Sequence, residues 1–242
     1  MNPVLCRQLA ADYCCSVNDV LDRQNHFTVH QYLDGRRRFQ ESDECFLKIA
    51  AVNGKLLFSG NSEILTWCTE QFENDASDWF FEAENLHRLN ERLYYEGYRI
   101  GMVHPFYIAE QVTDAGPDVD VSWFEKEEIN QFQGDPRFNE AVAFDKNAQD
   151  MLAVAAVKDG QILGMAGASC DSPTMWQIGI NVMPESRTSG IGTRLVSLLK
   201  NEVLKRGILP FYGTSMSHIA SQRVAIGAGF MPAWAELVTT KV

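Results

Sequence analysis

The residues best suited to chemistry lie between positions 182 and 193, where a proline and two glycines separate a strand-like segment from a helix-like one. The segment reads Val182-Met183-Pro184-Glu185-Ser186-Arg187-Thr188-Ser189-Gly190-Ile191-Gly192. The first residues of a helix have unpaired backbone N–H groups and lie at the positive end of the helix dipole. Glycine at this point lets an anion approach the backbone, because it has no Cβ. The segment is therefore typical of a phosphate or pyrophosphate site.

The spacing of the residues excludes two familiar phosphate-binding loops. The chain has no G-x-x-x-x-G-K-[ST] sequence, and Gly190-x-Gly192 lacks the third glycine of the dinucleotide-binding fingerprint. The pattern that remains is Arg-x-x-Gly-x-Gly, from Arg187 to Gly192. So short a pattern is weak evidence by itself, and the surrounding elements decide its meaning.

The elements around this loop follow a definite order. Alternating apolar residues predict three strands before it, and amphipathic and turn patterns predict two helices and two further strands after it. The order over the last ninety residues is therefore β-β-β-α-β-α-β. The predicted bounds are 151–157, 162–169 and 176–182 for the strands, 190–206 for the first helix, 208–212 for a strand, 218–228 for the second helix, and a final strand through Phe230 and Trp234.

The N-terminal part has a different pattern. The first thirty residues predict helix, with a capping box at Ser16-Val17-Asn18-Asp19, and Asn53-Gly54 predicts a hairpin. Helices are also predicted at 64–72, 79–95, 123–132 and 138–144, and a strand at 98–108 broken by Pro105. Ala115-Gly116-Pro117-Asp118 is the best linker candidate. We therefore expect an N-terminal α/β domain at 1–115, of unknown role, and a second domain at 116–242.

Over about residues 120–242 the chain resembles the GNAT superfamily of acetyl-CoA-dependent N-acetyltransferases. The resemblance rests on the three strands, on Val182-x-Pro184-x-x-Arg187-x-x-Gly190-x-Gly192, and on a closing helix that ends at Gly229-Phe230. The chain is similar to a bacterial branch of this superfamily that has an extra N-terminal domain. The resemblance implies a mixed α/β (α+β) fold, in which a mostly antiparallel central sheet with splayed strands is flanked by helices.

The resemblance also implies roles for the residues of the loop. Their backbone N–H groups would hold the pyrophosphate of acetyl-CoA, the cosubstrate that the family uses. Arg187 either adds a charged contact or is a solvated turn residue. The residues whose N–H groups are concerned are Thr188, Ser189, Gly190, Ile191, Gly192 and Thr193.

The strand before the loop would bind the rest of the cosubstrate. Ile180, Asn181 and Val182 would present backbone groups to the pantetheine amides, as an added strand would. One backbone N–H among these three would donate to the thioester oxygen. Gly179, inside the same strand, indicates either a close approach of another segment or packing beneath Trp176.

Two positions depart from the family pattern and bear on proton transfer. Many members have a tyrosine where this chain has Ala225, and an asparagine where it has His218. Tyr212 and His218 are the candidate substitutes as proton donor to the departing thiolate. Core packing is the alternative for Tyr212, and helix capping or a contact with CoA is the alternative for His218.

A general base is harder to identify. The predicted strand at 176–182 has no carboxylate, so the proton of the amine would pass to water held by Gln177 or Asn181, or to an acidic residue of the N-terminal part. Cys170 beside Asp171 suggests a covalent route, but it has no obvious base partner. A buried cysteine at a strand end is the commoner case.

The six cysteines and five histidines show no metal pattern. No pair of cysteines has C-x-x-C spacing, and His26 and His30, four residues apart, lack the glutamate of H-E-x-x-H. We expect no metal and reduced thiols, as in a cytoplasmic protein.

The chain has a net charge of −11, and its charged residues are unevenly distributed along the sequence. Residues 1–150 have 13 Lys and Arg against 27 Asp and Glu, a net charge of −14, whereas residues 151–242 have 8 against 5, a net charge of +3. This balance counts against nucleic acid as the main partner. No apolar run is long enough to span a membrane, and no secretory signal is evident. We expect a cytoplasmic protein and leave a homodimer open.

The function that these observations predict is transfer of an acetyl group from acetyl-CoA to a primary amine of a small molecule or peptide. The amine would attack directly in a ternary complex, and the acidic part of the chain would suit a cationic acceptor. The alternative is a catalytically degenerate CoA-binding module that acts as a sensor or interaction protein, since the tyrosine and the strand carboxylate are missing.

Overall fold

A computed structural model describes residues 1–37, 45–115 and 120–242 of the chain. The chain forms two compact units, the first made of Met1–Phe106 and Ala233–Val242, the second of Tyr107–Pro232. The division predicted between residues 115 and 116 differs from these units, because the last strand pairs with a strand of the N-terminal part. Residues 116–118 of the predicted linker lie outside the described residues.

The described residues of unit 1 form a sheet and four α-helices. Its strands lie in the order β1-β3-β2-β10-β4, with β1 parallel to β3 and β2 antiparallel to both β3 and β10. The elements are α1 (Pro3–Asp12), α2 (Val17–Leu21), β1 (His26–Val29), β2 (Leu47–Val52), β3 (Lys55–Gly60), α3 (Ser62–Phe72), α4 (Ala83–Tyr94), β4 (Tyr98–Ile108) and β10 (Met231–Lys241).

Local sequence signals explain several boundaries of unit 1. The Ser16 hydroxyl accepts from the backbone N–H of Asp19, and the Asp19 carboxylate accepts from the N–H of Ser16, which confirms the capping box. Asn53 and Gly54 both have positive φ, as a tight hairpin turn requires, and β2 and β3 flank them. The mixed α+β character predicted for the N-terminal part is thereby confirmed.

Unit 2 has a five-stranded order, β9-β8-β7-β6-β5. Neighbouring strands are antiparallel except for β8 and β9, which are parallel. The elements are β5 (Val121–Glu125), α5 (Lys126–Ile129), β6 (Asp150–Lys158), β7 (Gln161–Cys170), β8 (Met175–Val182), α6 (Ile191–Lys205), β9 (Leu209–Gly213) and α7 (Ile219–Gly227). The predicted order from the first of the three strands onward is confirmed.

Both faces of this sheet are covered. On one face α6 buries Leu195, Leu199 and Val203 in a cluster that includes Trp176 and Ile178 of β8. On the other face a cluster of short turns and α5 packs against β6 and β7; its members are Ile129, Phe132, Phe138, Ala141, Val142, Ala153, Ala155 and Met165. Side chains alternate along a strand, so Trp176, Ile178 and Ile180 of β8 face the α6 cluster and the odd-numbered residues face the other side.

Two predicted elements are wrong, the helices at 26–29 and 138–144, and two are correct only in part, since residues 126–132 are helical and 98–108 form a strand. Residues 26–29, predicted as helix, form β1, and residues 121–125, overlapping another predicted helix, form β5. The predicted helix at 138–144 is a 3-10 turn at Pro136–Phe138 followed by irregular chain, and β4 is continuous through Pro105. Short apolar runs do not distinguish helix from strand, and partner strands decided these cases. In the described residues, no helix is long and apolar enough to cross a membrane.

Candidate active site

The sheet of unit 2 opens between β8 and β9. The two parallel strands pair only over Met175–Gln177 of β8, opposite Leu209–Phe211 of β9, whereas β8 continues to Val182 and pairs with β7 along this length. The edge of β8 from Ile178 onward therefore faces an opening rather than a strand. This confirms the splayed strands that the sequence resemblance implies.

Backbone groups of β8 point into this opening. The N–H of Leu209 donates to the carbonyl of Thr174 at 3.0 Å, and the N–H of Met183 donates to the carbonyl of Leu163 on the β7 side at 2.9 Å. Because peptide groups alternate along a strand, even-numbered residues face β9 and odd-numbered residues face β7. The N–H groups of Ile180 and Val182 are thus directed at the opening.

The segment between β8 and α6 forms an exposed loop. Thr188 and Gly190 have φ values of 63° and 84°, and Gly190 caps α6 with no side-chain hydrogen bond to the helix. The hydroxyl of Ser189 donates to the carbonyl of Ser186, and that of Thr188 to the carbonyl of Arg187. These loop side chains therefore bond within the loop. Residues 188–190, which lead into a 15-residue helix, are exposed, and the start of such a helix suits an anion.

The start of α6 lies against the end of β8. A Cβ added at Gly192 would lie 3.2 Å from Cγ2 of Val182, so glycine allows this close approach. Ile191 and Thr193, also predicted for the loop, occupy the first turn of the same helix. The open strand edge and the helix start therefore form one continuous surface of backbone donors.

Arg187 lies at the entrance of the loop. Its side chain is exposed, and its Nε donates to the carbonyl of Val182 at 3.5 Å. This is a long bond to an exposed group, so the guanidinium is free to turn toward an anion held by the helix start. Both alternatives that the sequence left open for Arg187 fit this position.

Tyr212 is at the end of β9, two per cent exposed, in the cluster beneath α6. Its hydroxyl bonds to the hydroxyl of Ser221 on α7 at 2.9 Å. Burial raises the pKa of Tyr212, the bond to Ser221 lowers it, and the negative charge of Glu140 raises it further, with a net rise. A phenol with a raised pKa keeps its proton, so Tyr212 has the protonation state of an acid.

His218 and Ala225 are both on or beside α7. His218 is the N-cap residue, its side chain is exposed, and it makes no capping hydrogen bond to the helix. Ala225, at the position where many family members have tyrosine, is fully buried in the core. The hydroxyl of Tyr212 reaches the same helix at Ser221, so β9 supplies a phenol near α7 that α7 itself lacks.

Asn181 departs from its predicted role. As an odd-numbered residue of β8, Asn181 has backbone groups that point toward β7. Its side-chain Oδ1 accepts from the N–H groups of Glu140 and Ala141 at 2.9 and 2.8 Å. The Nδ2 group donates to Asn139 at 3.4 Å. Asn181 therefore positions the segment 139–142, and Oδ1 already has two donors, which weakens the expectation that it holds a water.

Segment 139–142, which was predicted as helix, crosses the sheet at two paired glycines. Gly167 of β7 and Gly179 of β8 are directly opposite each other, and a Cβ on either would overlap the carbonyl of Ala141 or Glu140. The close approach predicted at Gly179 is confirmed. A glycine in each of two neighbouring strands was the signal in the sequence, since strand glycines mark places where another backbone comes close.

Two further candidates from the sequence are Cys170, as a nucleophile, and His26, as a metal ligand. Burial raises the pKa of Cys170, and its Sγ donates to the carbonyl of Ser172 at 3.4 Å, which disfavours a nucleophilic thiolate.

In unit 1, His26 and Asp22 bond to each other, and the ammonium of Lys55 also bonds to Asp22 at 2.9 Å. A cation therefore already occupies the carboxylate of the Asp19, Asp22 and His26 group.

Comparisons with known proteins agree with this fold. Residues 118–230 match the sequence model of the acetyltransferase (GNAT) family. The structure of a GCN5-related N-acetyltransferase-like protein from Streptococcus suis 89/1591 aligns over 87% of this chain and 89% of that chain, with a TM-score of 0.50 and 15% identity. At that identity the likeness shows the fold alone. No curated protein matches the sequence.

Two further structures have lower TM-scores. An acetyltransferase of the GNAT family from Colwellia psychrerythraea gives a TM-score of 0.45 at 14% identity, over 85% of this chain and 84% of that chain. A GNAT-family acetyltransferase from Novosphingobium aromaticivorans DSM 12444 gives 0.45 at 18% identity, over 60% of this chain and 68% of that chain.

Proposed function

The chain belongs to the acetyltransferase (GNAT) family through residues 118–230, and from this premise we propose that it transfers an acetyl group from acetyl-CoA to a primary amine. The observation that carries the proposal is the continuous surface of backbone donors from the open edge of β8 to the start of α6. An acyl-CoA needs a site of this kind, since it joins a pyrophosphate to a chain of amides.

The residues present fit acetyl-CoA. The first N–H groups of α6 and the loop, with Arg187, would hold the pyrophosphate, and Ile180 and Val182 would pair with the pantetheine amides. When bound, acetyl-CoA supplies an activated acyl group as a thioester. A backbone N–H of β8 would donate to the thioester oxygen, where negative charge grows during the attack of the amine.

Tyr212 would protonate the departing thiolate. Its raised pKa keeps the phenol protonated at neutral pH, and Ser221 holds its hydroxyl in place. The thiol of CoA, with a pKa near 8.5, is already a fair leaving group, so this acid assists a step that does not depend wholly on it. His218, exposed at the start of α7, is the second candidate donor.

The experiment that tests catalysis is release of free thiol from acetyl-CoA on addition of a panel of primary amines, with the acetylated products identified by mass. We expect thiol release that depends on the amine and matches product formation one to one. Acetyl-CoA binding without thiol release from any amine would contradict an enzyme and favour the catalytically degenerate CoA-binding module. Faster reaction of cationic than of neutral amines would support a cationic acceptor.

A further inference from the structure

Segment 139–142 places a carboxylate at the mouth of the opening in the sheet. The backbone of Glu140 crosses β8 at Gly179, two residues beyond the last residue of β8 that pairs with β9. The side-chain oxygen of Asn181 accepts from the N–H groups of Glu140 and Ala141, and its amide nitrogen donates to the side-chain oxygen of Asn139. Three hydrogen bonds and a glycine contact thus fix the position of this backbone beside the opening.

The side chain of Glu140 is free to meet a ligand. It is exposed, and no Lys, Arg or His side chain in the described ranges forms an ion pair with it. The pKa of Tyr212 is raised mainly by burial, and the negative charge of Glu140 adds to the rise. The backbone of Glu140 lies against Gly179 of β8 and Tyr212 belongs to β9, the two strands that border the opening.

The side of the sheet on which Glu140 lies is also informative. Gly179 shares its face of β8 with Gln177 and Asn181, whereas Ile178 and Trp176 point into the cluster beneath α6. Glu140 therefore approaches the opening from the face opposite α6 and its anion-binding start. A second substrate arriving from this face would meet Glu140 without competing for the loop at 187–193.

We infer that Glu140 is the catalytic residue that binds the acceptor as its ammonium ion and removes a proton from it. The inference rests on the proposed function and adds the group that selects charged, strongly basic amines. A primary amine with a pKa near 10.4 is almost fully protonated at pH 7 and cannot attack until it loses that proton. An anion fixed beside the acyl site attracts the ammonium and accepts its proton.

The reaction balances with these groups. The ammonium gives one proton to a carboxylate oxygen of Glu140, the amine nitrogen forms a bond to the acetyl carbon, and the carbon–sulfur bond breaks with its electron pair on sulfur. Tyr212 gives a proton to the sulfur. The nitrogen loses its second proton to water, so each turnover releases one proton, since nitrogen loses two and sulfur gains one.

The test uses Glu140→Gln with two acceptors of the same shape. One is the best amine of the panel, and the other is its alkoxyamine analogue, in which O replaces the adjacent CH2 so that the nucleophile is largely neutral at pH 7. We expect kcat/KM for the amine to fall about 100-fold and for the alkoxyamine less than about threefold. The matched control is Glu127→Gln, which removes another exposed glutamate of unit 2 and should change neither value.

A binding measurement separates this inference from the proposed function. The dissociation constant of acetyl-CoA, measured by calorimetry, should be the same for Glu140→Gln and the wild type, and binding of the amine to the protein with free CoA should weaken. Equal losses for amine and alkoxyamine, or no loss for either, would overturn the role of Glu140. Failure of the wild type to bind acetyl-CoA would instead overturn the proposed function.

Two variants of Asn181 test the positioning of Glu140. Asn181→Asp keeps an oxygen that can accept from both N–H groups of segment 139–142, whereas Asn181→Leu removes it. We expect Asn181→Leu to show the selective loss for the amine, and Asn181→Asp to retain most of the wild-type preference. The same loss in both variants would contradict this positioning role.

Discussion

Unit 1 encloses its strongest charges, whereas unit 2 directs backbone N–H groups at an opening in its sheet. In unit 1 the guanidinium of Arg37 bonds to Asp12 at 2.5 Å and to Glu236 at 2.8 Å, and all three side chains are at most 3% exposed. In unit 2 the N–H groups of Ile180 and Val182 face an opening, and Gly190 at the start of α6 is exposed. The charges of unit 1 are paired within its own core, whereas the donors at the opening of unit 2 are where we propose that a ligand binds.

The comparison also teaches where net charge misleads. The acidic stretch, residues 1–150, extends over both units, so its total charge does not say which unit would bind a cationic acceptor. Asp12 of unit 1 is buried against Arg37. Glu140 of unit 2, in the same acidic stretch, is exposed beside the opening. The position of one free carboxylate is therefore more informative than the total charge of a region.

The largest effect should come from breaking the ion network of unit 1. Arg37→Met leaves Asp12 and Glu236 buried without their counter-ion, and we expect the free energy of unfolding in urea to fall by about 3–5 kcal/mol. Burial by itself lowers the pKa of Arg37, but the two adjacent carboxylates reverse this and raise it, so the residue is charged in the fold.

The control for this prediction is an exposed pair in unit 2. Arg206→Met removes an ion pair with Glu125 at the surface, and such pairs contribute about 0–1 kcal/mol. Similar losses of stability for Arg37→Met and Arg206→Met would contradict the view that unit 1 depends on an enclosed network.

The next effect should appear in the chemistry of unit 2. Tyr212→Phe removes the proposed proton donor, and we expect kcat to fall about 100-fold while the dissociation constant of acetyl-CoA stays the same. Tyr107→Phe is the control, because Tyr107 is a buried tyrosine of the same core cluster. If both variants lost activity equally, Tyr212 would be a packing residue only.

The smallest effect should be a pH dependence of unit 1. Burial, then the charges of Lys48 and Arg36, lower the pKa of His30 to about 4, whereas an unfolded histidine has a pKa near 6.5. Between these values the unfolded chain binds a proton that the folded chain does not, so stability is lost as the pH falls from 6.5 to 4. His30→Gln should reduce this loss, measured as the urea midpoint at pH 7 and pH 5.

The exposed His87 provides the control for His30. His87→Gln should leave the pH dependence unchanged, because its side chain is 75% exposed. Burial also lowers the pKa of His104, which contributes in the same direction and remains in both variants. A wild-type stability independent of pH over this range would show that His30 titrates normally in the fold.

Much of unit 2 could be predicted from sequence because its signals are local. Strand alternation, a helix start with Gly190 and a closing turn at Gly229 each act over a few residues, and the structure has all of them. The family motif likewise lies within one loop. The close approach at Gly179 could be predicted, but its partner could not, because that contact joins segments about forty residues apart.

The remaining errors come from long-range pairing. The strand β1 pairs with β3, so the helix predicted at 26–29 is a strand instead. The strand β10 pairs with β2, about 180 residues earlier in the chain, and this pairing could not be predicted from local patterns. The role of Asn181 was missed for the same reason, since its partners are Glu140 and Ala141. Non-local contacts override local preference at such positions.

The measurement that tests the central claim most directly is acetyl-CoA binding, by calorimetry, to the wild type and to substitutions at the two ends of α6. Gly190 and Gly207 both have positive φ, 84° and 76°, and an added Cβ at either meets no atom within 4 Å, so glutamate strains both equally. Gly190→Glu should weaken binding at least about 100-fold, or about 2.8 kcal/mol, by placing a bulky anion at the helix start. Gly207→Glu should bind as the wild type does. Equal binding by both variants, or none by the wild type, would contradict an acyl-CoA site at the opening of the sheet.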